Sequence, residues 1–218
     1  MNHRSIQSTQ LAIVWAMMGA AYAQESSIDD MLNQLGLGGI THQSAAPSRT
    51  ESPHTEAPQQ EPSIYQSNTP LHAAVLAGKP SAVKAALSDH RHLEARDSSD
   101  MTPLMLAAYK DRATSAKLLI QAGADTEAAN TRWGTTALML AAMRGHHEVV
   151  IELLRGKAKV NATNHAKVTA LMLAAQHGHA DIVKLLLNSG ANKNMQDSTG
   201  KRAIDYADKA EVISILTN

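Results

Sequence analysis

The chain has 218 residues, no cysteine, and 20 acidic and 20 basic residues, so its formal net charge at pH 7 is zero. The absence of cysteine excludes disulfides, thiolate nucleophiles and cysteine-ligated zinc sites. The basic residues are also spread too thinly for the stripe that is typical of nucleic-acid-binding proteins, so we expect no nucleic acid among the partners.

Residues 1–23 have the pattern of a secretory signal peptide. A polar start with Arg4 precedes the apolar run Leu11–Ala20, and Ala21-Tyr22-Ala23 is an Ala-x-Ala cleavage site. Because the apolar run is shorter than the roughly 20 residues that span a bilayer, we expect cleavage and no stable membrane anchor. The pattern predicts a periplasmic protein, and secretion beyond the cell stays open as an alternative.

The following segment, residues 24–66, is predicted to be a disordered linker. It carries six acids against Arg49, and from Gly38 onward it is rich in Pro, Ser, Thr, Gln and Glu without apolar periodicity. Apolar residues at helical spacing nevertheless predict a short helix at 27–35. This helix is either transient, folded back over the first repeat, or docked on a partner.

Five related segments then repeat at near-constant spacing and define the predicted domain, residues 67–218. Their first residues are separated by 33, 34, 33 and 33 positions: Thr69, Thr102, Thr136, Thr169 and Arg202. Such a period is typical of a solenoid, in which each unit buries its apolar face against its neighbours. The repeat therefore indicates a binding surface before it indicates an active site.

Each unit is predicted to contain two helices and a polar hairpin. The leading threonines are candidate N-caps, and Pro70 and Pro103 occupy the first helical position, where a missing N–H costs nothing. Residues suited to a left-handed backbone end the first helices, as at Gly78 and Gly145, with Asp111 in the same place in the second unit.

This layout resembles the ankyrin repeat. Thr-Pro-Leu-His at Thr69, Gly-His at Gly145 and Gly178, and Gly-Ala with asparagine downstream all lie at the family's offsets. The resemblance implies an all-α ankyrin solenoid with four full repeats and a short C-terminal capping repeat. We also expect a monomer without a cofactor.

Two departures from the family pattern lead to expectations. The histidine of Thr-Pro-Leu-His remains only as His72, and the methionines that replace it are expected to pack against the neighbouring repeat: Met105, Met139 and Met172. Lys157 stands where glycine is usual, with Gly156 just before it. We therefore expect the second turn of the third unit to be shifted by one residue.

Histidine is the residue type with the best case for chemistry, because the chain has 11 and imidazole is a common ligand of transition metals. However, His146 and His179 occupy the same repeat position, so we expect a ladder along the solenoid and no convergence on an ion. No Walker loop, nucleophile elbow or zincin motif is present in the sequence. We predict neither a metal site nor an enzyme.

The resemblance also implies where partners bind, since ankyrin contacts come mostly from hairpin tips and from two positions late in the first helix. The single insertion, in the hairpin before the third unit, holds Trp133, which either anchors a partner or covers the adjacent hairpin. The predicted partner-binding residues are Tyr109, Lys110, Arg132, Trp133, Met143, Arg144, His165, Gln176 and His177.

Two functions follow from these observations. The first is a non-catalytic interaction module that scaffolds, inhibits or protects another exported protein. The second is an accessory protein for a periplasmic haem or metal enzyme such as catalase, with ligand handled by the histidines.

Overall fold

The computed structural model describes residues 69–88 and 92–217 as helices joined by short turns. The predicted signal peptide, the linker and the short helix at 27–35 lie outside the described residues. Within the described ranges, no helix has the length and apolar character needed to cross a membrane.

Four helix pairs follow one another in the described residues, and a 3₁₀ helix at Ala203–Tyr206 and helix α9 at Ala210–Thr217 come after them. The pairs are α1 (Pro70–Leu76) with α2 (Pro80–Ala86), α3 (Pro103–Tyr109) with α4 (Ala113–Gln121), α5 (Ala137–Arg144) with α6 (His147–Arg155), and α7 (Ala170–Gln176) with α8 (Ala180–Asn188).

The first helix of each pair begins at the predicted threonine. The four threonines have extended backbones, and each hydroxyl accepts the backbone N–H three residues later: Thr69, Thr102, Thr136 and Thr169. Each bond satisfies one of the N–H groups that a helix leaves unpaired at its start. The N-cap prediction is therefore confirmed.

Left-handed residues lie in the turn between the helices of each pair, as predicted. Gly78, Gly145 and Gly178 have φ of 64°, 80° and 68°, and Asp111 has φ of 56° at the same repeat position. Glycine adopts this conformation without the steric cost that a Cβ brings.

The register shift predicted near Lys157 is wrong. Lys157 itself has φ of 64°, at the repeat position where Gly123 and Gly190 have φ of 94° and 91°. Gly156 has an ordinary φ of −74°, and a Cβ there would lie 2.8 Å from the side chain of Ile120 in the preceding unit. The stacked neighbours therefore hold the turn in register, although a lysine must take the left-handed conformation.

The helices stack in two layers, with first helices on first helices and second helices on second helices. Paired alanines at the centre of the first helices are fully buried, which lets the backbones approach closely: Ala107, Ala108, Ala141, Ala142, Ala174 and Ala175. Large leucines fill the space between the layers, such as Leu119 and Leu153, both fully buried. The predicted all-α solenoid is confirmed.

The methionines that replace histidine lie in this core, as predicted, with 1%, 1% and 2% of their surface exposed at Met105, Met139 and Met172. His72 shows what the replacement changes. Its Nε2–H donates to the Met101 carbonyl of the next unit at 2.9 Å, and its Nδ1 accepts from the Thr69 hydroxyl at 2.8 Å.

Two of the methionines make a different and weaker bond to the capping threonine, through its backbone N–H and not its hydroxyl. The sulfur of Met105 accepts the backbone N–H of Thr102 at 3.4 Å, and the sulfur of Met172 accepts that of Thr169 at 3.5 Å. The substitution thus retains a local cap contact and adds apolar packing between units.

A line of hydrogen bonds also joins successive units beyond the second helices. One side-chain oxygen per unit accepts a backbone N–H of the next unit: Glu94 from Asp125 at 2.7 Å, Glu127 from Lys159 at 2.7 Å, and Asn161 from Asn192 at 2.8 Å. Because these bonds link neighbours only, they add cooperativity between adjacent units.

The last unit closes the C-terminal end of the solenoid. Its first helix is reduced to the 3₁₀ turn, whereas Val212 and Leu216 of α9 are buried against α8. The Tyr206 hydroxyl donates to the Asp197 carboxylate and ties the 3₁₀ turn to the preceding hairpin. The outer side carries exposed charges at Asp208 and Glu211, as a C-terminal capping repeat requires.

Candidate partner-binding surface

The hairpin with the inserted residue is held in shape by Asn130. Its buried side-chain oxygen accepts the backbone N–H of Trp133 at 3.1 Å and of Thr135 at 3.0 Å. The turn also needs a left-handed residue, which Gly134 supplies with φ of 69°. The conformation of this tip is therefore set before any partner arrives.

Three of the predicted residues come together at this tip. The exposed Arg132 guanidinium lies over the half-buried Trp133 ring, 5.2 Å from its centroid. The Trp133 carbonyl accepts the backbone N–H of His165, at the tip of the next hairpin, at 3.0 Å. A Cβ on Gly134 would lie only 2.6 Å from the His165 imidazole, so the two tips are in close contact.

A second group forms at the ends of the first helices. The half-buried Tyr109 ring lies below two cations, with the Arg144 guanidinium 4.2 Å and the Lys110 ammonium 5.3 Å from its centroid. Arg144 belongs to the unit after Tyr109, so this cation–π contact crosses a repeat boundary. Lys110 and Arg144 are both exposed.

Met143 and Gln176, also predicted as contact residues, are half-buried at the ends of α5 and α7. The Met143 carbonyl accepts the Nε2–H of His179 at 3.2 Å. The Tyr109 carbonyl accepts the Nε2–H of His146 at 3.2 Å in the same way. The predicted ladder of His146 and His179 is confirmed, since each imidazole bridges to the preceding unit.

His177 is directed towards its own helix. Its Nδ1–H donates to the Leu173 carbonyl at 2.9 Å, and its ring stacks on His179 with centroids 6.0 Å apart. Burial of the His179 imidazole, which outweighs the bond to Met143, lowers its pKa and favours the neutral form. In the described part of the chain, no group of three or more His, Cys, Asp or Glu residues is arranged to hold a metal ion.

The acids at the hairpin tips point inwards. Asp97 accepts the N–H of Ser99 and of Met101, both at 2.9 Å. Asp100 accepts from Arg96 at 2.8 Å and from the hydroxyl and backbone N–H of Thr131, across a repeat boundary. Burial raises the pKa of Asp100, but these hydrogen bonds outweigh it and hold the pKa below its ordinary value.

Lys167 is a residue of this surface that the sequence analysis missed. It is exposed, and its φ of 59° places it at the left-handed tip position that Gly134 and Gly200 occupy in neighbouring hairpins. The repeat register was the signal that could have identified it, because Gly134, Lys167 and Gly200 are 33 positions apart.

Comparison with known proteins agrees with this architecture. A family model described as ankyrin repeats (3 copies) matches residues 17–130 and 126–197. The chain is similar to an ankyrin repeat and KH domain-containing protein, mask-1, of Caenorhabditis elegans, with 38% identity over 98 residues. The matched residues are 44% of this chain and 4% of that relative, so the chain spans a small fraction of the relative's length.

Proposed function

Because this chain belongs to the ankyrin repeat family, whose repeats indicate a protein–protein interaction module, we propose that it is a non-catalytic module that binds another exported protein outside the cytoplasm. The export proposal is supported by the signal-peptide pattern of residues 1–23, with a bacterial periplasm as the simplest destination. Scaffolding, inhibition and protection of the partner are all compatible with such a surface.

The observation that carries the proposal is the Arg132–Trp133 stack on the inserted hairpin. Interface hot spots are enriched in tryptophan, tyrosine and arginine. Here the indole is half-buried and Asn130 restrains its backbone, so binding a partner would cost little conformational entropy at this tip. A rigid aromatic side chain with an exposed cation above it is suited to the centre of an interface.

The remaining predicted residues would surround this centre. Tyr109, Lys110 and Arg144 form a second aromatic–cation group, and His165 joins the tip directly. The flank is completed by Met143, Gln176 and His177. Three histidines of this region each use a ring nitrogen on a backbone carbonyl, namely His146, His177 and His179, so we do not propose the accessory role for a haem or metal enzyme.

Site-directed photo-crosslinking tests this proposal. A photoreactive amino acid replaces Arg132 in one variant and Lys117 in the control, because Lys117 is exposed on the second-helix layer. After irradiation in periplasmic extract, we expect a crosslinked protein from position 132 only, with a lower yield when Trp133→Ala is added. Equal crosslinking at both positions would count against this surface.

The location is tested separately by N-terminal sequencing of the exported protein. We expect Gln24 as the first residue, because cleavage should follow Ala23. Exported protein that still begins at Met1 or Asn2 would rule out cleavage.

A further inference from the structure

We propose that the partner presents an acidic, extended segment to the hairpin tips that hold Arg132 and Lys167 and to the ends of α3 and α5. This inference rests on the proposed function and adds the chemistry of what is bound. It follows from a contrast on one surface: the acidic side chains of the hairpin tips are buried and hydrogen-bonded, whereas the basic side chains are exposed to solvent.

The acids of the hairpin tips are buried and committed to internal hydrogen bonds. Asp97 and Asp100 accept backbone and side-chain hydrogen bonds within and between the hairpins. Asp197 accepts from Thr199 at 2.7 Å and also from Tyr206. These carboxylates are therefore not exposed to a partner, and the Arg96 guanidinium also offsets the charge of Asp100.

The cations of this surface are exposed. In the described residues, no ion pair joins any of them to an acid: Lys110, Arg132, Arg144 and Lys167. The nearest exposed acid along the chain is Asp111 for Lys110 and Glu148 for Arg144. The Asp111 carboxylate lies 3.7 Å from the His146 imidazole, and the Glu148 carboxylate lies 3.4 Å from the His147 imidazole. A partner with carboxylates would supply the counter-charges that the described residues of the protein do not.

Aromatic rings orient the two arginines. The Arg144 guanidinium lies 4.2 Å from the Tyr109 ring centroid, and the Arg132 guanidinium lies 5.2 Å from that of Trp133. An aromatic ring occupies one face of a guanidinium and leaves its N–H edge for a carboxylate, which arginine binds with two parallel hydrogen bonds. These geometries favour a ligand with carboxylate groups over a ligand that offers only diffuse negative charge.

Helix α5 separates the two groups along the chain. It begins four residues after Trp133 and ends at Arg144, and its eight residues are about 12 Å long at 1.5 Å per residue. An extended peptide advances about 3.3 Å per residue, so the length of α5 alone corresponds to roughly four residues. The test peptide therefore carries acids along its whole length.

A nucleic acid fits this surface less well. Proteins that bind duplex DNA commonly neutralise about 6 to 10 phosphates. The four permanent cations here are spread over three units and separated by neutral side chains such as Met143. We therefore favour an acidic protein segment, and a nucleic-acid probe is one arm of the test.

Fluorescence anisotropy with the full chain tests the inference. The probe is a labelled peptide that alternates glutamate with serine, and its control has glutamine in place of every glutamate. We expect tighter binding of the glutamate peptide and weaker binding as salt is added. The variant Arg132→Gln/Arg144→Gln should bind it about tenfold more weakly.

The matched control is Lys84→Gln/Lys117→Gln, which removes the same charge from exposed positions on α2 and α4. It should bind the glutamate peptide as the unmodified protein does. Circular dichroism of both variants checks that neither has lost its fold.

Three results would overturn the inference: equal affinity for the two peptides, equal losses in the two variants, or tighter binding of single-stranded DNA than of the glutamate peptide. Each is distinguishable from a failure of the proposed function. If crosslinking from position 132 still captures a partner, the interaction surface stands and only the acidic chemistry of its ligand is wrong.

Discussion

At the scale of single residues, the residues of this surface are held in place by contacts with other side chains. Asn130 sets the position of Trp133, and the Tyr109 ring sets that of Arg144. Sequence analysis identified Tyr109 and Arg144 because they depart from alanine at positions that the family uses for contacts, and Trp133 because it lies on the single insertion. It left two roles open for Trp133, an anchor for a partner or a cover over the adjacent hairpin. The ring is half-buried, so only one side of it is available to a partner.

The first prediction concerns Trp133→Ala. Truncation of an anchoring tryptophan commonly costs about 2 kcal/mol of binding free energy, which is about thirtyfold in affinity. We expect that loss for the partner captured by crosslinking, with a small change in melting temperature because the ring is not in the core. Trp133→Phe should retain most of the affinity.

The contrary outcome for Trp133 is equally measurable. If the indole serves only to cover the adjacent hairpin, Trp133→Ala will lower the melting temperature and leave the affinity unchanged. Tryptophan emission that shifts to the blue when partner is added would support the contact, since the other tryptophan, Trp15, lies in the predicted signal peptide.

At the scale of elements, the turns show how far local sequence rules extend. Threonine caps and left-handed glycines were predicted correctly because each depends on a few adjacent residues. The turn at Lys157 was predicted wrongly because Gly156 is in close contact with Ile120 of the preceding unit, a constraint that the local sequence does not show. A lysine there takes φ of 64°, the value that suits glycine.

The second prediction is that Lys157→Gly stabilises the protein. A left-handed non-glycine residue costs roughly 1 kcal/mol, and part of the gain is offset by the greater freedom of glycine in the unfolded chain. We expect a net gain of about 0.5 kcal/mol in the free energy of unfolding, measured by urea denaturation.

Lys159→Gly is the control for this prediction. Lys159 is exposed in the same turn but is not among the left-handed residues, and its N–H donates to Glu127. The Lys159→Gly variant should have a lower free energy of unfolding, because glycine adds conformational freedom to the unfolded chain and relieves no strain at this position. Equal destabilisation by both substitutions would contradict the account of strain at Lys157.

At the scale of the whole molecule, stability is a sum of contacts between neighbouring units, so the ends matter most. The Asp197–Tyr206 hydrogen bond joins the last hairpin to the capping unit. Burial raises the pKa of Asp197, but the bonds from Tyr206, Thr199 and Lys201 outweigh it, so the pKa lies below 3.8. Burial, together with the Asp197 carboxylate, raises the pKa of Tyr206 well above 10.

The third prediction follows from the sign of these shifts. A lowered carboxyl pKa stabilises the folded chain above pH 3.8, and this contribution is lost as the pH falls through the folded value. A raised tyrosine pKa stabilises it below pH 10, and this contribution is lost as the pH rises towards the folded value. The Tyr206–Asp197 hydrogen bond should therefore contribute fully to the free energy of unfolding between pH 3.8 and pH 10.

Melting temperature as a function of pH tests this for Tyr206→Phe. We expect a loss of about 1 kcal/mol near neutral pH, a modest value because both groups are partly solvated. We also expect a shallower decline on the alkaline side than in the unmodified protein. Asp208→Asn, an exposed acid of the same unit, should leave the profile unchanged. An alkaline decline unaltered by Tyr206→Phe would show that the tyrosine is not responsible.

The sequence by itself determined the repeat, the helix starts and the burial of the methionines, because each depends on spacing and on residues within one unit. Tertiary structure alone decided which charges reach solvent. Asp100 turns inwards because Thr131 of the next hairpin lies beside it, and Arg144 faces outwards because the Tyr109 ring of the preceding unit lies beneath it. Both contacts cross a repeat boundary, and their geometry is set by the packing of one unit on the next.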